Sequence, residues 1–163
     1  MRTDPPATDT APVSLSALSG PECTLLWCMR AWVIGHCERR LVTPHIEAAL
    51  HRLGLGPAAR HDLDTVMAAL AVGARRTLAI NCICFDAVSD DERLLLDVLV
   101  LHAHDAHDDA HDLLSRLVTS RAARIAGSAA TRLVIELAAA GHELVPLRRI
   151  PSPTHPAASR ALH

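Results

Sequence analysis

Residues 89–118 read SDDERLLLDVLVLHAHDAHDDAHDLLSRLV. The first four residues form a capping box: the Ser89 side chain can accept a hydrogen bond from the N–H three residues on, while Glu92 reaches back to the Ser89 N–H. Apolar residues then recur at steps of three and four, which is the period of an amphipathic helix. The stretch predicts a helix that starts at Ser89. It leaves open whether one helix runs to the end or a break near Asp105 makes a helical hairpin.

Residues that favour helix starts and helix ends also occur on both sides of this stretch. Pro favours the first helical turn and Gly the residue after the last, so these residues predict helix boundaries. Thr43 is expected to cap the second helix, and Gly54 with Leu55 to end it as a Schellman motif. The predicted additional helices cover residues 21–37, 44–53, 57 to about 73–76, and 129–140, with Ser120 and Ser128 as candidate caps before the last one. The fold class predicted is all-α, a compact bundle of about five to seven helices.

Composition agrees with a helical core. Half of the 163 residues are apolar, but there is one Phe, there are two Trp, and Tyr is absent. Leu, Val, Ile and Ala must therefore fill the interior, and Leu- and Ala-rich segments favour helices over strands. We expect Trp27 and Trp32 to belong to the core of a central first helix. All 16 basic residues are Arg, which suggests a bacterial, GC-rich origin.

The chain divides into one domain and two tails. Residues 1–20 are dominated by Pro, Thr, Ser and Asp, and the prolines after Leu144 prevent regular structure. We predict a disordered N-terminal arm at 1–20, a single helical domain at 21–145, and a disordered Pro-rich tail at 146–163. The most apolar window, residues 24–35, is interrupted by Arg30 and is too short to span a membrane.

Charge is distributed unevenly along the chain. Residues 86–112 carry nine acidic residues and one Arg, whereas residues 113–163 carry seven Arg and two acidic residues. Such a division favours internal pairing or an acidic partner over a uniform nucleic-acid surface. Helices 44–53 and 57–73 have the outline of a helix-turn-helix, but two acids in the second helix disfavour phosphate contacts. We therefore expect no nucleic-acid partner and keep DNA binding as a second alternative.

The run from His102 to Asp112 is the first cluster that could carry chemistry. It holds four His and four Asp within eleven residues. In a continuous helix two imidazoles one turn apart can chelate a transition metal, with carboxylates as further ligands. The candidate ligands here are His104, His107, Asp108 and His111. The alternative is a low-complexity run that forms a solvated polar face.

The second cluster is Cys82-Ile83-Cys84, within a segment, 78–85, that we predict to be an extended and largely buried connection. Two side chains separated by one residue point to the same side of an extended chain. The pair could be inert buried thiols, half of a metal site, or a redox pair. A structural zinc site needs four ligands, so this motif supplies at most part of one.

These observations favour a small protein–protein interaction or regulatory module without catalytic activity. No catalytic or cofactor-binding residue is predicted. The alternative is a metal-binding protein that holds zinc or nickel at the His/Asp run or at Cys82 and Cys84. Five cysteines without disulfide-scaffold density favour a reducing, cytoplasmic compartment. The expected partner is another protein or a second copy of this chain, and not a membrane.

Overall fold

A computed structural model describes residues 13–146 of the chain. Residues 1–12 of the predicted N-terminal arm and residues 147–163 of the predicted C-terminal tail lie outside the described residues. Within the described range, the chain forms a helical bundle with one two-stranded antiparallel sheet and an isolated antiparallel bridge between Ala74 and Val118. The all-α prediction is confirmed. No helix in this part of the chain is both long enough and apolar enough to cross a membrane.

Six α-helices form the bundle within residues 13–146. In chain order they are α1 Gly20–Glu38, α2 Thr43–Arg52, α3 Pro57–Gly73, α4 Asp90–Ala103, α5 His107–Leu117 and α6 Ser120–Ala139. Leu, Val and Ala side chains from all six fill one continuous core. The two tryptophans of α1 are half-buried against that core. Residues 89–118 therefore form a helical hairpin of α4 and α5, and not one continuous helix.

Local capping explains where several helices start and end. Ser89 and Glu92 form the predicted capping box of α4, and Ser19 with Glu22 forms a second one at α1. After α2, the Leu55 N–H donates to Leu50 O at 3.1 Å, and Gly54 has φ +74°, which confirms the predicted Schellman motif. Between α4 and α5, Asp105 has a left-handed φ of 59°, which breaks the helix there.

Several predictions of local structure are wrong. Thr43 does not cap α2, because the helix already includes Thr43 and the preceding Val42 makes no capping bond. The final helix begins at Ser120, not near residue 129, and its cap is the Thr119 side chain. The alanines of 122–130 already repeat at helical spacing and favour helices, so the earlier start of α6 could be predicted from the sequence.

A short strand pairing precedes the bundle. Strand β1, Val13–Ser14, pairs antiparallel with β2, Ala87–Val88, in the register Val13 to Val88. A 3₁₀ turn, Leu15–Ala17, then leads into α1. Part of the segment assigned to the N-terminal arm thus lies against the chain just before α4. No pattern in the sequence predicts this pairing, because each strand has only two residues.

Helices α3 and α6 have the most extensive contact in the bundle. The approach is closest where α3 ends: a Cβ added at Gly73 would lie 2.2 Å from the Ala122 Cβ. Both groups are attached directly to backbone, so neither can swing away. Small residues at this crossing let the two helix backbones approach each other.

Replacing Gly73 by Ala should therefore destabilise the protein. The added methyl overpacks the α3–α6 crossing, and we expect the free energy of unfolding in urea to fall by about 1–3 kcal/mol. Gly20→Ala is the matched control, because nothing lies within 4 Å of a Cβ at Gly20. Equal stability of the two variants would contradict a close-packed crossing.

Candidate functional site

A buried ion pair joins α1 to the first turn of α4. Arg30 is 1% exposed and Glu92 is 0% exposed. The Arg30 Nε donates to Glu92 Oε1 at 2.7 Å, and Nη2 donates to Oε2 at 2.9 Å, which is the bidentate geometry of a strong pair. Burial raises the pKa of Glu92, but hydrogen bonds from Arg30 and from the Ser89 and Asn81 N–H groups outweigh it, so the net shift is downward.

The same guanidinium holds the segment between α3 and α4. Its Nη1 donates to the carbonyl oxygens of Cys82 (3.3 Å) and Phe85 (2.6 Å), and Nη2 donates to Ala87 O at 2.8 Å. Together with the two bonds to Glu92, these use all five N–H donors of Arg30. Asn81 adds a backbone N–H to Glu92 Oε1 at 2.8 Å. The irregular chain from 75 to 86 is thus fixed to the ion pair.

A second ion pair fixes the start of this segment. Arg76 Nη1 donates to Asp91 Oδ2 at 2.8 Å, and the Ala79 N–H donates to the same oxygen at 2.7 Å. The hydrogen bond from Arg76 lowers the pKa of Asp91 more than burial raises it. Asp91 and Glu92 are buried. These two acids are paired internally, but with Arg30 and Arg76 of the N-terminal half and not with the Arg-rich C-terminal third.

Two thiols lie at the surface of this fixed segment. Cys82 and Cys84 are both exposed, and their Sγ atoms are 2.8 Å apart. The Phe85 N–H donates to Cys82 O at 3.1 Å, which closes a turn across Ile83 and Cys84. The prediction of a largely buried segment with buried thiols is wrong, because the chain turns outward here. The two sulfurs do lie together, but a turn brings them together and not the extended chain that was expected.

The imidazoles of the His/Asp run are divided by the break at Asp105. His102 is 6% exposed, and its Nδ1 lies 3.0 Å from His107 Nδ1 and 3.1 Å from Thr131 Oγ1. Its Nε2 is buried and has no hydrogen-bond partner within the described residues. Burial lowers the pKa of His102, and the nearby His107 lowers it further.

The structure separates most of the predicted metal ligands. His104 lies at the end of α4, where its Nε2 is 3.3 Å from Leu144 O. Asp108 is exposed in the first turn of α5, and His111 is one turn further along that helix. The thiols belong to the segment that precedes the other end of α4, a helix of 14 residues that is about 20 Å long at 1.5 Å per residue. Within residues 13–146, no group of three or more His, Cys, Asp or Glu is arranged to hold a metal ion.

An apolar groove lies on the outer face of the α3–α6 pair. Val72 on α3 is 91% exposed and Ile125 on α6 is 45% exposed. The cavity has a volume of about 570 Å³, and its lining residues are Thr65, Ala68, Ala69, Val72, Gly73, Thr119, Arg121, Ala122 and Ile125. Val72 lies off the buried apolar stripe that includes Val66 and Leu70, so its exposure follows from helical spacing. The groove itself depends on how α6 packs beside α3, which the sequence does not show.

The chain has no significant match among protein-family models, curated proteins or solved structures.

Acid should destabilise the protein through His102. The pKa of His102 is lowered in the folded state, so near and below the ordinary histidine pKa of about 6.5 the unfolded chain binds a proton that the folded chain does not. A proton added to buried Nε2 would also have no acceptor. We expect the free energy of unfolding to fall as the pH decreases from 7 toward 5, and His102→Gln to reduce this dependence.

The measurement is urea unfolding at several pH values for the natural chain, His102→Gln and His61→Gln. His61 is exposed on α3 and serves as the matched control. If His102→Gln and His61→Gln keep the same pH dependence as the natural chain, the buried imidazole is not its source.

Proposed function

We propose that this domain is a non-catalytic protein–protein interaction module that binds an amphipathic helix of another protein in the groove between α3 and α6. The observation that carries this proposal is the exposed Val72 side chain beside an alanine-lined groove. An isoleucine or valine exposed singly is common, but adjacent exposed apolar side chains around a concavity are typical of a binding surface.

The dimensions of the groove suit a helix. Thr65 and Val72 are separated by seven residues along α3, which corresponds to about 10 Å, or two helical turns. Ala68, Ala69 and Ala122 line the groove with single methyl groups, so the side chains of a ligand helix can enter between the larger Val72 and Ile125. Recognition of this kind uses apolar side chains at helical spacing on the ligand.

Charge around the groove indicates which helix would fit. Among the described residues that line it, Arg121 is the charged one. Arg75 follows the end of α3, where its N–H donates to Leu117 O at 2.9 Å, close to the start of α6. Both arginines are exposed. We therefore propose a ligand helix with an apolar face and flanking acidic residues.

Binding at this groove should depend on Val72. We expect Val72→Asp to weaken the affinity for the partner by at least about tenfold, because complete burial of a valine side chain contributes about 1.5–3 kcal/mol and a tenfold change corresponds to about 1.4 kcal/mol. Ile135→Asp is the matched control: Ile135 is 60% exposed on α6 but does not line the groove.

The partner is first captured by placing a photo-cross-linking amino acid at position 72, or at position 135, of the full chain in its native cells. A discrete adduct from position 72 alone identifies the partner, whose affinity for the purified variants is then measured by calorimetry. Equal adducts from both positions, an adduct with a second copy of this chain, or equal affinities of Val72→Asp and Ile135→Asp would each contradict the proposal.

A further inference from the structure

We propose that Cys82 and Cys84 form a reversible dithiol–disulfide couple, in which Cys82 is the attacking thiol and Cys84 the resolving thiol. The reaction partner is a low-molecular-weight disulfide. This inference is independent of the groove between α3 and α6, because it rests on a different segment and on different residues.

The distance between the sulfurs carries the argument. The two Sγ atoms are 2.8 Å apart, and a disulfide bond is about 2.05 Å long, so bond formation needs a movement of less than 1 Å. The turn from Cys82 to Phe85 sets this distance. Arg30 fixes both ends of that turn through the carbonyl oxygens of Cys82 and Phe85. The thiols are therefore held together by buried contacts while remaining exposed.

The environments of the two thiols assign their roles. A hydrogen bond from the Cys84 thiol lowers the pKa of Cys82, and backbone N–H groups and the Arg30 charge act in the same direction. The same contact raises the pKa of Cys84. Because the thiolate is the nucleophile in disulfide exchange, Cys82 should attack first.

The chemistry balances with glutathione disulfide as the oxidant. The Cys82 thiolate attacks one sulfur of glutathione disulfide; a Cys82–glutathione bond forms, and the glutathione disulfide bond breaks to release one glutathione thiolate. Cys84 then loses its proton to solvent and attacks Cys82 Sγ. This second step forms the Cys82–Cys84 bond and releases a second glutathione thiolate, so the protein loses two electrons and glutathione disulfide gains them.

The other cysteines provide internal controls. Burial raises the pKa of Cys28 to about 12, and burial also raises the pKa of Cys23. Cys37 is exposed at the end of α1. Cys37 has no resolving thiol in the same turn. Its reaction rate therefore shows how fast an exposed thiol reacts without one.

The test treats the reduced full chain with glutathione disulfide, quenches with acid, alkylates the remaining thiols and examines tryptic peptides by mass spectrometry. Cleavage after Arg76 and Arg93 yields the peptide Thr77–Arg93, which contains both thiols and no other cysteine. In the natural chain we expect the mass of this peptide to fall by two hydrogens, because a disulfide forms between its two thiols. Cys84→Ser should instead accumulate one glutathione on Cys82, and Cys82→Ser should react several-fold more slowly at Cys84.

Cys37 in the same samples should acquire glutathione several-fold more slowly than Cys82 in the Cys84→Ser chain. The proposal would be overturned by stable glutathione on Cys82 of the natural chain. It would equally be overturned by a disulfide between two chains, or by Cys37 reacting as fast as Cys82.

Discussion

The pair of Arg30 and Glu92, buried between α1 and α4, is the interaction on which the rest of the structure depends. Removing both charges from water is expensive, and their mutual attraction compensates only if every remaining donor and acceptor is also satisfied. Arg30 meets this requirement by donating to three carbonyl oxygens of residues 82–87 as well as to the carboxylate. The irregular segment before α4 therefore has its shape because the ion pair needs those acceptors.

The ion pair holds one of the two surfaces to which we assign a function. The turn that carries Cys82 and Cys84 is bound directly to Arg30, so exposed thiols have a fixed separation. The groove depends instead on α3 and α6, where Gly73 and Ala122 allow close approach. The two surfaces are thus set by different contacts. A variant that disrupts the thiol turn should therefore leave the groove intact, and the reverse, so the two proposed functions can be tested separately.

The sequence could predict what local spacing determines. The Ser89–Glu92 capping box, the Gly54 helix end and the helical period all depend on residues within one or two turns, and they appear in the structure. The sequence could not show that Arg30, which interrupts an apolar helix, pairs with a residue 62 positions away. The outward turn of the thiols follows from that pairing. Likewise, the sequence could not show that α6 packs beside α3 and places Ile125 near Val72.

A double-mutant cycle on the Arg30–Glu92 pair tests this account most directly. Arg30→Met, Glu92→Met and the double variant would be unfolded in urea, with Trp27 and Trp32 fluorescence as the signal. Each single variant should lose about 3–5 kcal/mol, because it leaves one buried charge without its partner, and the double variant should lose clearly less than the two losses combined. The central place of this ion pair would be contradicted if each single variant lost less than about 1 kcal/mol of unfolding free energy. It would also be contradicted if the loss in the double variant equalled the sum of the two single losses.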